Sequence, residues 1–297
     1  MMNEYDEDKV CLLLNSLVQH GSKNSRVYLM KAESTDYPRI TDEIDKLAEE
    51  KGYTKSFAKI PKRYKDAFLS SGYVCEGIIP RMYGGEEDGY FLSKYYDLKR
   101  GTLETGIITD EILRSRCNGD FSNQSEEKNQ NGFFHKGKRV LEKGFSLRQA
   151  LPCDSAALSS LFKKIFESYP FPLSNPSYIK KTMDENILYF GIWKNDNLLA
   201  AASSETDLSS KSVEMTDFAT DKDFLGRGFA GLLLDAMEKE MKERGFITSY
   251  TIARATFLPV NLLFYKRGYK FSGTLAKNTN ICGSFESMNI WYKKLSG

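Results

Sequence analysis

The sequence predicts an α/β protein with a complete domain of alternating strands and helices at its carboxy end and a degenerate half-copy of that plan at its amino end. Three observations carry this. Strand-like and helix-like segments alternate after residue 144, a polar stretch interrupts the chain before it, and the pattern of residues 234–293 recurs in residues 44–96.

The polar stretch, CNGDFSNQSEEKNQNGFFHKGK, is dominated by Asn, Gly, Ser, Gln, Glu and Lys with almost no apolar periodicity, and reads as a linker. It divides the chain into an amino-terminal part, 1–116, a linker over 117–143, and a carboxy-terminal domain, 144–297. In that domain residues 145–150 alternate as a strand, and 153–168 place Leu158, Leu161, Phe162, Ile165 and Phe166 at helical spacing. Strands over 187–193 and 198–204 flank Lys194-Asn195-Asp196-Asn197, a hairpin signal. A strand over 212–220 leads through a glycine turn into a long amphipathic helix, 228–244, which Gly245 ends. Then come a strand over 247–255, a helix opened by proline over 259–266, and closing strands over 269–275 and 284–292. The predicted order is β-α-α-β-β-β-α-β-α-β-β.

In the half-copy, helix IDKLAEEKG, strand YTKSFAKIP, short helix KRYKDAFLSSG and two closing strands follow one another as LDAMEKEMKERG, FITSYTIARA, LPVNLLFYKRG and their closing strands do later. Gly52 and Gly72 stand 20 residues apart, and Gly245 and Gly268 stand 23 apart. The first copy is expected to lack the glycine turn of the second and the strand before it.

Composition narrows the chemistry. With 41% hydrophobic residues the chain can bury a core, so disorder as the main state is excluded. Lys plus Arg number 42 against 40 Asp plus Glu, which leaves no broad electrostatic footprint for nucleic acid or an anionic membrane. No apolar run approaches the ~20 residues of a membrane span, and MMNEYDEDKV carries acid where a secretory signal carries base, so a cytoplasmic protein is expected. The five cysteines are scattered and never in a CxxC pair, and there are two histidines, His20 and His135. Neither a disulfide framework nor a metal site is expected, and proton transfer falls to carboxylates, Tyr, Ser, Thr or backbone groups. Homodimer formation is compatible with the sequence, which does not fix the oligomeric state.

The most informative segment is EMTDFATDKDFLGRGFAG, residues 214–231. A strand runs into Leu225-Gly226-Arg227-Gly228-Phe229-Ala230, where a helix begins. Glycines there let backbone approach a ligand, and free N–H groups at a helix start suit a pyrophosphate. Taken alone, the pair of glycines also fits a helix start that needs close packing. A dinucleotide-binding unit fits worse, because no third glycine is correctly spaced.

This segment resembles the acetyl-CoA pyrophosphate loop of the GNAT acyltransferases, although Leu225 stands where that family usually has Gln or Arg. The element order of 145–296 also resembles the GNAT fold. The stretches NSRVYLMKA (24–32), GYTKSFAKIP (52–61), GYVCEGIIPRMYGGEEDGYFLSKY (72–95), VEMTDFAT and GYKFSGTL together resemble the β-lysine N-acetyltransferases, which join an amino-terminal extension to a GNAT domain. The resemblance implies acetylation of the 6-amino group of β-lysine to the compatible solute N6-acetyl-β-lysine, a role in osmoadaptation. It implies acetyl-CoA as cosubstrate, held by Phe218, Ala219, Thr220, Leu225, Gly226, Arg227, Gly228, Phe229 and Ala230. It implies a small diamino acid as the partner, without metal, nucleic acid or membrane.

Amine acetylation needs an acceptor for the ammonium proton and a donor for the departing thiolate. Glu214 and Asp217 lie on the strand entering the loop, where the family places a base. Glu214 is the first candidate and Asp217 the second. Three residues apart, they point to opposite faces of a regular strand, so both reach a cleft only if a bulge intervenes. The family's usual acid, a Tyr, aligns with Phe264, so Tyr265, one residue on, is the remaining candidate and solvent its competitor. The helix asparagine of the family is likewise displaced to Asn261. Asp217, Glu205 and Arg254 are candidates for the substrate's other charged groups, and Gly84-Gly85-Glu86-Glu87-Asp88-Gly89 for an acidic rim.

Overall fold

The computed structural model describes residues 8–120, 134–135, 138–139, 141–167, 169–281 and 283–295. The first half contains β1 (Lys9–Leu13), β2 (Ser16–Gly21), β3 (Arg26–Lys31), α1 (Ile40–Lys51), β4 (Lys55–Pro61), α2 (Lys65–Ser70), β5 (Val74–Tyr83) and β6 (Glu87–Tyr95), in a sheet ordered β1-β2-β3-β4-β6-β5. Helix α3 (Asp110–Asp120) and the short pair β7 (Phe134–His135) and β8 (Lys138–Arg139) follow. Most of the stretch expected as a linker lies outside the described residues, and its first residues close α3.

The second half contains β9 (Phe145–Gln149), α4 (Ser155–Ile165), α5 (Pro176–Glu185), β10 (Ile187–Lys194), β11 (Asn197–Asp207), β12 (Ser212–Thr220), α6 (Phe229–Glu243), β13 (Thr248–Arg254), α7 (Leu258–Lys266), β14 (Lys270–Ile281) and β15 (Ser284–Lys294). Its sheet order is β14-β15-β13-β12-β11-β10-β9. The element order is the one the sequence predicts. The β10–β11 turn places Asn195 and Asp196 both at positive φ, as the hairpin signal requires. Helix α6 buries Phe229, Leu233, Met237 and Met241, four residues apart, on its sheet. It ends where Gly245 at φ +83° donates to the Lys242 carbonyl.

The internal repeat is more complete than the sequence suggests. Strand β3 pairs in parallel with β4 as β12 does with β13, and β2 and β1 stand beside β3 as β11 and β10 stand beside β12. The strand expected to be missing is therefore present. It escapes pattern reading because its positions alternate Arg26, Tyr28, Met30 against Val27, Leu29, and only the second set faces the core over α1. The glycine turn is indeed absent: AESTDYPR joins β3 to α1.

The halves share a core in which Phe57, Ile79 and Phe91 pack with Tyr250, Leu275, Met288 and Ile290. Strands β5 and β14 approach so closely that a Cβ at Gly273 would collide with the Glu76 carbonyl, so only glycine fits there. Strand β14 bulges between Leu275 and Thr279, which takes its carbonyls out of the ladder. Three cations of the first half satisfy them. Lys55 Nζ donates to Ala276 O (2.8 Å), Arg100 Nε to Lys277 O (2.8 Å) and an Arg26 terminal nitrogen to Asn278 O (2.6 Å). Among the described residues no helix is long and apolar enough to cross a membrane.

Candidate active site

Strands β12 and β13 pair only through Ser212 with Thr248, Val213 with Ser249 and Glu214 with Tyr250, and then diverge. The gap opens beyond Glu214. Opposite β11, strand β12 carries one extra residue between Thr216 and Ala219, and Asp217 takes φ +55° within that bulge. The bulge reverses the alternation, so Glu214 and Asp217 both line the same cavity. This is the condition under which the two candidate bases can act at one site.

The cavity has a volume of about 510 Å³ and lies between the two sheets. Glu205, Glu214, Thr216 and Asp217 line it from the second half, Gln19, Arg26, Tyr28 and Phe57 from the first, and Tyr169 and Tyr178 from the segment around α5. Burial pushes the Glu214 carboxyl up to about 7, and the adjacent Glu205 adds to the rise against the pull of Lys59 and a hydrogen bond with Tyr250. Burial raises Glu205 and Asp217 too, and Asp217 is held by Ser203, whose Oγ donates at 2.6 Å. Lys59 Nζ donates to the Tyr250 hydroxyl at 2.6 Å, so the first half reaches Glu214 through one tyrosine. A carboxyl poised near neutrality beside a gap in the sheet can accept a proton from a bound amine.

Where the gap ends, Gly226 and Gly228 both take φ +78°, and Gly228 caps α6. The amides of Gly226, Arg227, Gly228, Phe229 and Ala230 make no backbone hydrogen bond among the described residues. They form a cluster of donors at a helix start, which suits a pyrophosphate. Leu225 is exposed, and Phe229 is buried against Phe224 and Phe145. The Arg227 side chain turns back over Phe224 toward Glu142 (3.3 Å), so the loop offers backbone rather than side-chain donors.

A model of the acetyltransferase (GNAT) family matches residues 156–269. The chain is 36% identical over 286 residues to the β-lysine N(6)-acetyltransferase of Methanococcus maripaludis, covering 96% of this chain and 98% of that protein. It is 35% identical over 266 residues to the enzyme of the same name from Methanosarcina mazei, covering 87% of this chain and 98% of that protein. The chain belongs to the β-lysine N(6)-acetyltransferase family. Among solved structures, the ribosomal-protein-S18-alanine N-acetyltransferase of Escherichia coli matches 52% of this chain and 95% of its own at 18% identity, with a TM-score of 0.46.

In this acetyltransferase four candidates expected from the sequence sit outside the cavity lining. The Tyr265 ring packs edge-on against Trp291 and is absent from the cavity lining, because the helix turns it about 100° away from Phe264, which is buried against Phe218. Asn261 is fully buried and donates to the carbonyls of Arg254 and Phe257, fastening the start of α7. Arg254 binds Glu286 through two nitrogens (2.5 and 2.6 Å), which commits it to β15. The acidic, glycine-rich stretch is the β5–β6 turn and lines no part of the cavity. Gly84 donates to Ser210 O, Glu87 pairs with Arg63, and Asp88 accepts from Arg81 N.

Sequence reasoning missed Arg26, Lys59, Tyr250 and Tyr169. Arg26 and Lys59 lie in the quoted stretches NSRVYLMKA and GYTKSFAKIP, where a cation inside a strand pattern was the available signal.

Proposed function

We propose that this acetyltransferase transfers the acetyl group of acetyl-CoA to the 6-amino group of β-lysine, making N6-acetyl-β-lysine in the cytoplasm. The identity to two named enzymes across nearly the whole chain supports the substrate, and the cavity with Glu214 at the mouth of the β12–β13 gap carries the mechanism. Residues 1–116 and 144–297 form the two halves, with 117–143 joining them.

Acetyl-CoA supplies an activated acetyl thioester. The amides from Gly226 to Ala230 hold its pyrophosphate, and the free edge of β12 at Phe218, Ala219 and Thr220 lies along the gap toward Glu214. Glu214, ionised above about 7, takes the proton of the substrate ammonium, either directly or through a water. The freed nitrogen bonds to the acetyl carbon and the carbon–sulfur bond breaks; the nitrogen gives its second proton to solvent to leave the amide, and the thiolate takes one from solvent, since Tyr265 is absent from the cavity lining. Asp217 and Glu205 hold positive charge in the cavity while the reacting nitrogen is neutral.

Thiol release with acetyl-CoA and β-lysine, lysine or other diamines tests this reading. The expected result is turnover on β-lysine with the label at the 6-nitrogen. Cosubstrate binding without turnover on any amine would overturn it.

A further inference from the structure

We propose that Arg26, contributed by the amino-terminal half, forms the carboxylate subsite of the cavity and thereby selects which amine of the substrate reaches Glu214. The inference rests on the β-lysine reading and extends it to a residue outside the GNAT domain.

Arg26 is 4% exposed and lines the cavity from β3. Among the described residues it makes no ion pair. One terminal nitrogen donates to Asn278 O at 2.6 Å and the other reaches Gln19 Oε1 at 3.5 Å, both uncharged acceptors. The guanidinium carries five N–H donors in a planar fork, so donors remain for a bidentate carboxylate. Its position is set by the rings of Tyr28 and Phe57, whose centroids lie 5.3 and 5.9 Å away. Burial lowers its pKa to about 10, which still leaves it charged at neutrality. A buried cation without a counter-charge is costly to keep in a fold, and an anionic ligand would complete it. The other cation in the lining, Lys181, is paired with Glu185 (3.6 Å).

The opposite wall holds Glu205, Glu214 and Asp217. The cavity thus has a cationic pole from one half and an anionic wall from the other. A diamino acid enters such a site in one sense, carboxylate to Arg26 and amines to the acids. In β-lysine the 3-amino group lies next to the carboxylate and the 6-amino group at the far end. Anchoring the carboxylate at Arg26 therefore presents the 6-amino group to Glu214.

The test pairs each acid substrate with its carboxylate-free analogue: β-lysine with β-lysine carboxamide, and lysine with cadaverine. In the wild-type enzyme the analogue should show a KM roughly 10- to 100-fold higher, with kcat little changed. Arg26→Gln should raise KM for the acid by the same factor and leave KM for the analogue and for acetyl-CoA unchanged. Equal loss on both members of a pair would make Arg26 structural and overturn the proposal, as would a wild-type enzyme indifferent to the carboxylate. Should Arg26→Gln fail to fold, the wild-type comparison and Arg26→Lys still decide. Turnover of lysine but not β-lysine would overturn the substrate reading alone, with the lysine and cadaverine pair deciding the subsite. In an enzyme that turns over none of these amines, a thermal shift produced by β-lysine but not by its carboxamide would sustain the subsite, and equal shifts or none would overturn it.

Discussion

Glu205 and Glu214 stand directly opposite one another on β11 and β12, and both side chains line the same cavity. Like charges in register repel, so the pair holds its protons longer than isolated carboxyls do. Lys59, reaching across from β4 through Tyr250, offsets part of that repulsion at Glu214.

The rate at saturating amine should therefore rise with pH and level off above about 7, as Glu214 loses its proton. Glu205→Gln removes the neighbouring charge and should move this limb to lower pH. Lys59→Met removes the opposing cation and should move it to higher pH. Profiles of kcat against pH for the three proteins check the order.

Glu214→Gln should lower kcat by about 100- to 10,000-fold and leave KM for acetyl-CoA unchanged. It should also stabilise the fold in alkali. The folded carboxyl titrates at about 7, above its ordinary value, so its favourable contribution is complete below the unfolded pKa and is lost as pH rises through about 7. Glutamine does not ionise, so the Tm of the variant should exceed that of the wild type at pH 8, and the gap should close at acid pH.

Gly226 takes φ +78°, and an added Cβ there meets no atom within 4 Å. Gly226→Ala thus isolates backbone strain, about 1 kcal/mol. Relaxation of the loop should raise KM for acetyl-CoA roughly five- to tenfold with KM for the amine unchanged, as read by steady-state kinetics.

Tyr265→Phe should leave kcat unchanged, because the ring packs edge-on against Trp291 and the residue is absent from the cavity lining. A fall of about 100-fold with the fold intact would assign it the acid role after all.

Lys55 is fully buried, lies 3.4 Å from Glu76 and has its pKa lowered by burial to about 7. Glu76 in turn accepts from Ala276 N at 2.8 Å, so the pair fastens β5 and β4 to β14. Glu76→Ala leaves Lys55 buried beside no carboxylate and should cost about 3–5 kcal/mol in urea unfolding.

Much of the second half was legible in the chain itself. Asn195-Asp196, Gly245, Pro259 and the stripe from Phe229 to Met241 act through local backbone conformation or helical period, and local rules read them correctly. The glycine-bearing loop and the acid-bearing strand were found in the same way. Strand β3 was not, because its inner face carries Arg26 and Tyr28, whose burial depends on an opposing sheet more than a hundred residues away in sequence. The same holds for Arg254, whose partner Glu286 lies on a strand 32 residues later.

The sequence by itself determined the elements of the second half and their order, part of the internal repeat, the phosphate-type loop and the two acids on β12, since each is a property of neighbouring residues. The tertiary structure alone decided which of these form one site. A single extra residue in β12 turns Glu214 and Asp217 to the same side, a property set by the pairing register with β11. The packing of two sheets face to face brings Arg26 and Lys59 to those acids, and a helix rotation of one residue takes Tyr265 away from them. Register, sheet packing and helix rotation are long-range relationships, which no local pattern of residues encodes.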